Sequence, residues 1–133
     1  MKYMLDTNIC IYAMKQQPVS VLTEIHRNIN EGLCISTITL AELTKGIEKS
    51  SMQKKNTLAL LEFLTALEII AFDADAAYEY GKICAYLEKR GIPIGNMDML
   101  IAAHARSKQL TIVTNNVREF SRVPDLSVEN WVE

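Results

Sequence analysis

The spacing of apolar residues along the chain switches repeatedly between two periods. Tyr3-Met4-Leu5, Leu33 to Ile35, Ile69-Ile70-Ala71-Phe72 and Leu110 to Val113 are short apolar or β-branched runs that read as strands. Between them the period becomes helical. Pro18 precedes Val19, Val21, Leu22, Ile25 and Ile29, whose spacing predicts a helix ending near Glu31-Gly32. Ser36 or Thr37 can cap the next helix, in which Leu40, Leu43 and Ile47 form a stripe and Glu42 sits one residue off it. Leu58, Leu61 and Leu64, with Phe63 alongside, predict a helix from Asn56 to about Ala66. Asp73 or Asp75 begins a long helix carrying Ala76, Ala77, Tyr80, Ile83, Cys84 and Leu87 inward, and the cationic turn Lys89-Arg90 followed by Gly91 stops it. Gly95-Asn96 opens a helix containing Asp98, Ile101, Ala102 and Ala105. Thr114-Asn115-Asn116 turns the chain after the strand at Leu110 to Val113, and a further short strand falls around Leu126 to Val128. Strands alternating with helices predict an α/β fold with a mostly parallel sheet of four to five strands in three layers.

Composition narrows the setting. At 133 residues, 49% hydrophobic and 23% charged, the chain suits one compact domain spanning residues 1–133. A net charge of -2 argues against coating nucleic acid through bulk positive charge but leaves room for local basic patches. The stretch before Asp6 is too short and too soon charged for a signal peptide, and no apolar run approaches the roughly 20 residues that cross a bilayer. A cytoplasmic protein with no membrane contact is expected. Cys10, Cys34 and Cys84 are odd in number and far apart, which points to small buried thiols and away from disulfides or a zinc knuckle. His26 and His104 lack metal-ligand spacing and read as structural or surface residues.

The candidate chemistry lies in carboxylates. Asp6 ends the first strand, at the position in open α/β sheets where ligands bind. Glu42 lies on the helix after the second strand, Asp98 near a helix start, and Glu119 soon after a later strand. Converging at one sheet edge, such groups would hold Mg2+, which prefers oxygen ligands and keeps several waters. Each also has a plainer reading. Asp6 can cap the helix that begins at Thr7 or Asn8, Asp98 can serve its own helix dipole, and Glu42 and Glu119 can be solvated charges. Local pattern does not choose between them.

Tyr3-Met4-Leu5-Asp6-Thr7-Asn8, Thr39-Leu40-Ala41-Glu42-Leu43, Pro93-Ile94-Gly95-Asn96-Met97-Asp98, Ile101-Ala102-Ala103-His104-Ala105 and Val113 through Phe120 occur in an order and spacing that resembles the PIN-domain ribonucleases, and more closely the VapC toxins of bacterial type II toxin-antitoxin pairs. The resemblance covers nearly the whole chain. It implies a three-layer PIN-like domain and a metal-dependent endoribonuclease in which Asp6, Glu42 and Asp98 bind Mg2+ or Mn2+. Many family members carry aspartate where this chain has Asn116, so Glu119 is expected to be the fourth carboxylate, with Asn116 orienting a water or a phosphate through its amide. Thr7, Asn8 and Thr114 are expected to support the site by hydrogen bonds. Hydrolysis would be led by the metal, with no covalent nucleophile, and would leave a 5'-phosphate and a 3'-hydroxyl. Lys45, Lys49, Arg118 and Arg122 are the nearest cations in sequence and the candidate RNA contacts. The resemblance further implies initiator tRNA, cut in its anticodon loop, as substrate. It also implies a VapB antitoxin whose tail brings an arginine to the acidic site, a homodimer, and a toxin-antitoxin assembly that reaches operator DNA only through VapB. The exposed halves of the Leu58 to Leu64 and Tyr78 to Leu87 helices are the candidate interfaces, although core packing accounts for most of their apolar residues.

Two other classes compete. A phosphoacceptor receiver domain would need an acidic pair after the first strand and a late lysine, whereas Asp6 is followed by Thr7 and Asn8, and no lysine follows Lys108. A non-catalytic RNA-binding or protein-interaction module on the same fold has only the non-acidic Asn116 in its favour.

Overall fold

A computed structural model describes residues 1–132. Its centre is β1 (Tyr3–Leu5), flanked by β2 (Leu33–Ser36) on one side and β4 (Thr111–Val113) on the other. β3 (Glu68–Ile70) and β5 (Val128–Glu129) complete a parallel sheet in the order β3-β2-β1-β4-β5. Helices α1 (Thr7–Lys15), α2 (Val19–Asn28), α3 (Thr37–Glu48) and α4 (Gln53–Leu64) fill the first two crossovers. Then α5 (Ala74–Lys89) and α6 (Asn96–Ser107) carry the chain back past β1 to β4, and the short α7 (Val117–Phe120) lies between β4 and β5.

Successive strand residues point to opposite faces, and both faces of the three central strands are covered, which is why β1, β2 and β4 are mostly apolar while the edge strands β3 and β5 carry Glu68 and Glu129. Tyr3, Leu5, Leu33, Ile35 and Val113 share one core with Ile9, Val21, Leu43 and Leu60 of α1 to α4. Met4, Cys34 and Ile112 share the other with Ile83, Leu87, Ile101 and Phe120 of α5, α6 and α7. The expected three-layer parallel architecture is therefore observed. Cys10 and Cys34 are buried and Cys84 is half-buried, all as free thiols.

Several details differ from the sequence reading. α4 begins at Gln53, and its inner face is Leu60 with Phe63 and Leu64, so Leu58 and Leu61 stand 66% and 56% exposed. On α5, Ala76 is buried but Ala77 is exposed, because Ala76, Ile83 and Leu87 form the stripe that meets the core. Val19 and Ile29 are also outward. The strand expected over residues 69–72 ends at Ile70 and is a sheet edge, which leaves Ile69 exposed. Asp73 rather than Asp75 caps α5, accepting from the Ala76 amide, and Ser36 rather than Thr37 caps α3, accepting from that of Ile38. No helix among the described residues is long and apolar enough to cross a membrane.

The chain winds outward from β1 through β2 to β3, then reverses to β4 and β5 on the opposite side. The reversal leaves a crevice outside the carboxyl ends of β1 and β4. Ligands collect at such a point because two neighbouring loops there depart in opposite directions.

Candidate acidic metal site

Asp6 is held at that crevice from three sides. Its amide donates to the Val113 carbonyl at 3.0 Å, extending the β1–β4 ladder by one residue. Its backbone is extended and caps α1, with Oδ1 accepting from the Ile9 amide at 2.9 Å. Oδ2 accepts from the Thr114 hydroxyl, and Thr114 sits just beyond β4, tied by its own amide to the Glu129 carbonyl at 2.9 Å. The helix-cap reading and the site reading of Asp6 are thus compatible. The residue is only 4% exposed. Its pKa is raised to about 6: burial pushes it up most, the Thr114 and Ile9 hydrogen bonds pull it back, and the charges of Asp98 and Glu42 add to the rise.

Those last two charges locate the other walls. Glu42, half-buried on α3, accepts a hydrogen bond at Oε1 from the Thr7 hydroxyl at the start of α1. Asp98 lies in the first turn of α6, where the helix dipole favours a negative charge. Its pKa is nevertheless raised, first by burial and then by Glu119 and Glu42. Glu119 is presented by α7, and the Asn116 amide joins it to Asp98, with Nδ2 at 3.1 Å from Glu119 Oε2 and 3.4 Å from Asp98 Oδ2. The Asn116 backbone N–H in turn donates to the Thr114 hydroxyl at 2.9 Å. Four carboxylates carried by four different parts of the chain therefore face one crevice, with Thr7, Thr114 and Asn116 bonded to them. Asn8 is exposed on the first turn of α1.

The donor set is hard oxygen throughout, which suits Mg2+ or Mn2+ and not a soft metal. Among the described residues no three acidic, histidine or thiol groups form a ready-made ligand cluster. That spacing still fits Mg2+, which takes one or two protein carboxylates directly and keeps water on its other positions. Burial does most to raise Asp6 and Asp98 and repulsion between the carboxylates adds to it; a divalent cation would relieve that repulsion.

A profile of the PIN domain matches residues 3–126. The chain belongs to the PIN-domain family. Within that family it is 47% identical over 132 residues to the tRNA(fMet)-specific endonuclease VapC of Shigella flexneri, covering 98% of both chains. Among solved PIN structures it superposes on VapBC2 from Rickettsia felis bound to a promoter DNA fragment with a TM-score of 0.94, at 44% identity over 98% of this chain and 99% of that one. DNA-bound VapBC from Salmonella typhimurium gives 0.93 at 42% identity, covering 98% of each.

Around the acidic crevice of this PIN domain the cations are less organised than the anions. Lys45, Lys49 and Arg118 are exposed, Lys45 one turn beyond Glu42 and Lys49 at the end of α3. Arg122 donates to the Pro93 carbonyl at 3.0 Å and so braces the loop that leads into α6. Sequence reading missed two features. One is α7, whose four residues are too few to show a period. The other is a groove of about 580 Å³ between α1, α3 and α4, lined by Ile11, Met14, Leu43 and Ile47 and reaching Glu42 at its edge. Its walls come from three separate segments, so no local pattern marks it.

Proposed function

We propose that this PIN domain is a divalent-metal-dependent endoribonuclease and the toxin of a type II toxin-antitoxin pair. The observation that carries the reading is the convergence of Asp6, Glu42, Asp98 and Glu119 on the switch-point crevice, where burial and like charge raise two of them. Asp6 and Asp98 would hold Mg2+ or Mn2+, with Glu42 and Glu119 completing the negative wall. A cation bound there supplies Lewis-acid polarisation of the scissile phosphodiester and makes attacking water more acidic. The protein's own part is placement. Ile9 N–H and Thr114 Oγ–H fix both Asp6 oxygens, Thr7 fixes Glu42, and Asn116 bridges Asp98 and Glu119 while neutralising neither. The products are a 5'-phosphate and a 3'-hydroxyl. Lys45, Lys49, Arg118 and Arg122 are the proposed contacts for the RNA backbone.

The Shigella relative is named for its action on tRNA(fMet), and initiator tRNA is the substrate we propose, cut in a loop whose bases can be splayed out. A cytoplasmic location goes with that proposed substrate. The partner we propose is a VapB-type antitoxin, in line with the VapBC complexes among the solved relatives. Its apolar segment would fill the groove beside Glu42, and an arginine on it would reach the carboxylates, which match a guanidinium fork. Homodimers, and operator DNA reached through VapB, complete the proposed assembly. Cleavage of purified initiator tRNA with and without Mg2+ tests the reading, and Asp6→Asn or Asp98→Asn is expected to abolish cleavage in a protein that still folds.

A further inference from the structure

His104 is completely buried on α6, six residues along the helix from Asp98, which is about 9 Å at the helical rise. Its Nδ1 lies 2.8 Å from the hydroxyl of Ser36, also completely buried, which caps α3 six residues before Glu42. Ser36 Oγ also accepts from the Ile38 amide at 3.0 Å, which leaves its hydrogen and a second lone pair for the ring: it donates to Nδ1 in one tautomer of the imidazole and accepts from it in the other. The other ring nitrogen, Nε2, is buried and closes no hydrogen bond. Burial, followed by the charge of Lys108, lowers the pKa of the ring, in keeping with a neutral imidazole in this place. The ring also stands edge-on to Phe72, with centroids 5.5 Å apart. The Phe72 amide donates at 3.1 Å to Thr37, the first residue of α3. The start of α3 is therefore fastened from both sides.

Fastening matters here because the two helices carry like charges. Glu42 on α3 and Asp98 on α6 push against each other across the crevice. A helix is stiff, so a tie at one point along each sets the separation of groups elsewhere on both. We propose that His104 is a positioning residue for the acidic site: its hydrogen bond with Ser36 fixes the helix that bears Asp98 against the helix that bears Glu42. The inference rests on the metal-site reading above. It assigns His104 a part in cation binding that burial alone would not give it.

The test is Mn2+ binding to metal-stripped full-length protein, followed by calorimetry alongside melting curves. His104→Leu puts an apolar side chain of similar bulk in place of the ring and offers Ser36 no hydrogen-bond partner, and it is expected to weaken Mn2+ binding about tenfold, the lower end of what loss of an outer support costs a metal site. Ser36→Ala should give a loss of similar size. In His104→Asn the amide group stands near the position of Nδ1 and can accept from Ser36 or donate to it, so this variant should recover most of the affinity even though its smaller side chain lowers the melting midpoint. If His104→Leu does not fold, the contrast between His104→Asn and Ser36→Ala carries the same information. In RNA cleavage the loss should fall on kcat, with KM little changed. Unaltered Mn2+ affinity in His104→Leu and Ser36→Ala, whatever their midpoints, overturns the positioning role while leaving the metal site standing. Absence of Mn2+ uptake by the unaltered protein overturns both.

Discussion

Asp6 shows how one side chain serves folding and chemistry together. As a cap it satisfies the Ile9 amide, and as a buried anion it faces Asp98 and Glu42. The two roles separate in Asp6→Asn, because an amide can still accept from Ile9 and donate to Thr114 while losing the charge. Metal-free Asp6→Asn is therefore expected to melt at or above the midpoint of the unaltered protein at pH 7, yet to lose cation-induced stabilisation; a large drop in the metal-free midpoint would count against this account of the site. The pH dependence has a definite sign. Because the folded pKa of Asp6 is raised from 3.8 to about 6, the native state holds the proton more tightly than the unfolded chain across that interval. Its contribution to stability is present at low pH and is lost as pH rises from about 4 to about 6. Asp73 and Glu79, whose pKa values are lowered by Lys108 and Arg106 respectively, act in the opposite direction. The measurement is thus the difference in melting midpoint between the unaltered protein and Asp6→Asn in EDTA, which should shift in favour of Asp6→Asn as pH rises through this window. At the fourth position, Glu119→Gln should cost far more activity than Asn116→Ala, since Glu119 carries charge and Asn116 only bridges. The reverse order would move the role to Asn116. The candidacy of Asp6, Glu42, Asp98 and Glu119 was legible from residue type and place along the chain. The Asn116 bridge was not, because it depends on two side chains brought close by the fold.

Elements were legible in proportion to the number of periods they contain. α3, α5 and α6 run for at least three turns and show in the pattern, and β1, β2 and β4 show as apolar runs because both of their faces are covered. α7 and β5, of four and two residues, are too short to repeat anything. In α4 the period was visible but its phase was not, since Leu58, Leu61 and Leu64 make as good a stripe on paper as Leu60, Phe63 and Leu64 do in the fold. Phase is set by what the helix meets. Urea unfolding distinguishes the two stripes directly: Leu60→Ala should cost about 2–4 kcal/mol, as buried leucines do, and Leu58→Ala less than about 0.5. Comparable losses at both positions would mean that the inner face has been assigned wrongly.

At the scale of the molecule, the reversal of strand order around β1 decides where the carboxylates meet. Alternating strands and helices announced a parallel sheet, but the side of β1 on which β4 would lie is a global choice that no local window contains. The groove leading to Glu42 is global in the same sense, and it gives the assembly a handle. Gly46 lines it, and a Cβ added there meets nothing within 4 Å. Gly46→Trp should therefore fold normally and yet fail to bind a cognate VapB antitoxin, as measured by calorimetry with the purified partner. Undiminished binding would place the antitoxin elsewhere. The central claim, that the crevice is a metal-dependent nuclease site, is tested most directly by mapping the ends of initiator tRNA incubated with purified protein in Mg2+ and in EDTA. The account expects cleavage only with the cation, with 5'-phosphate and 3'-hydroxyl ends and none from Asp98→Asn. Equal cleavage in EDTA would contradict it.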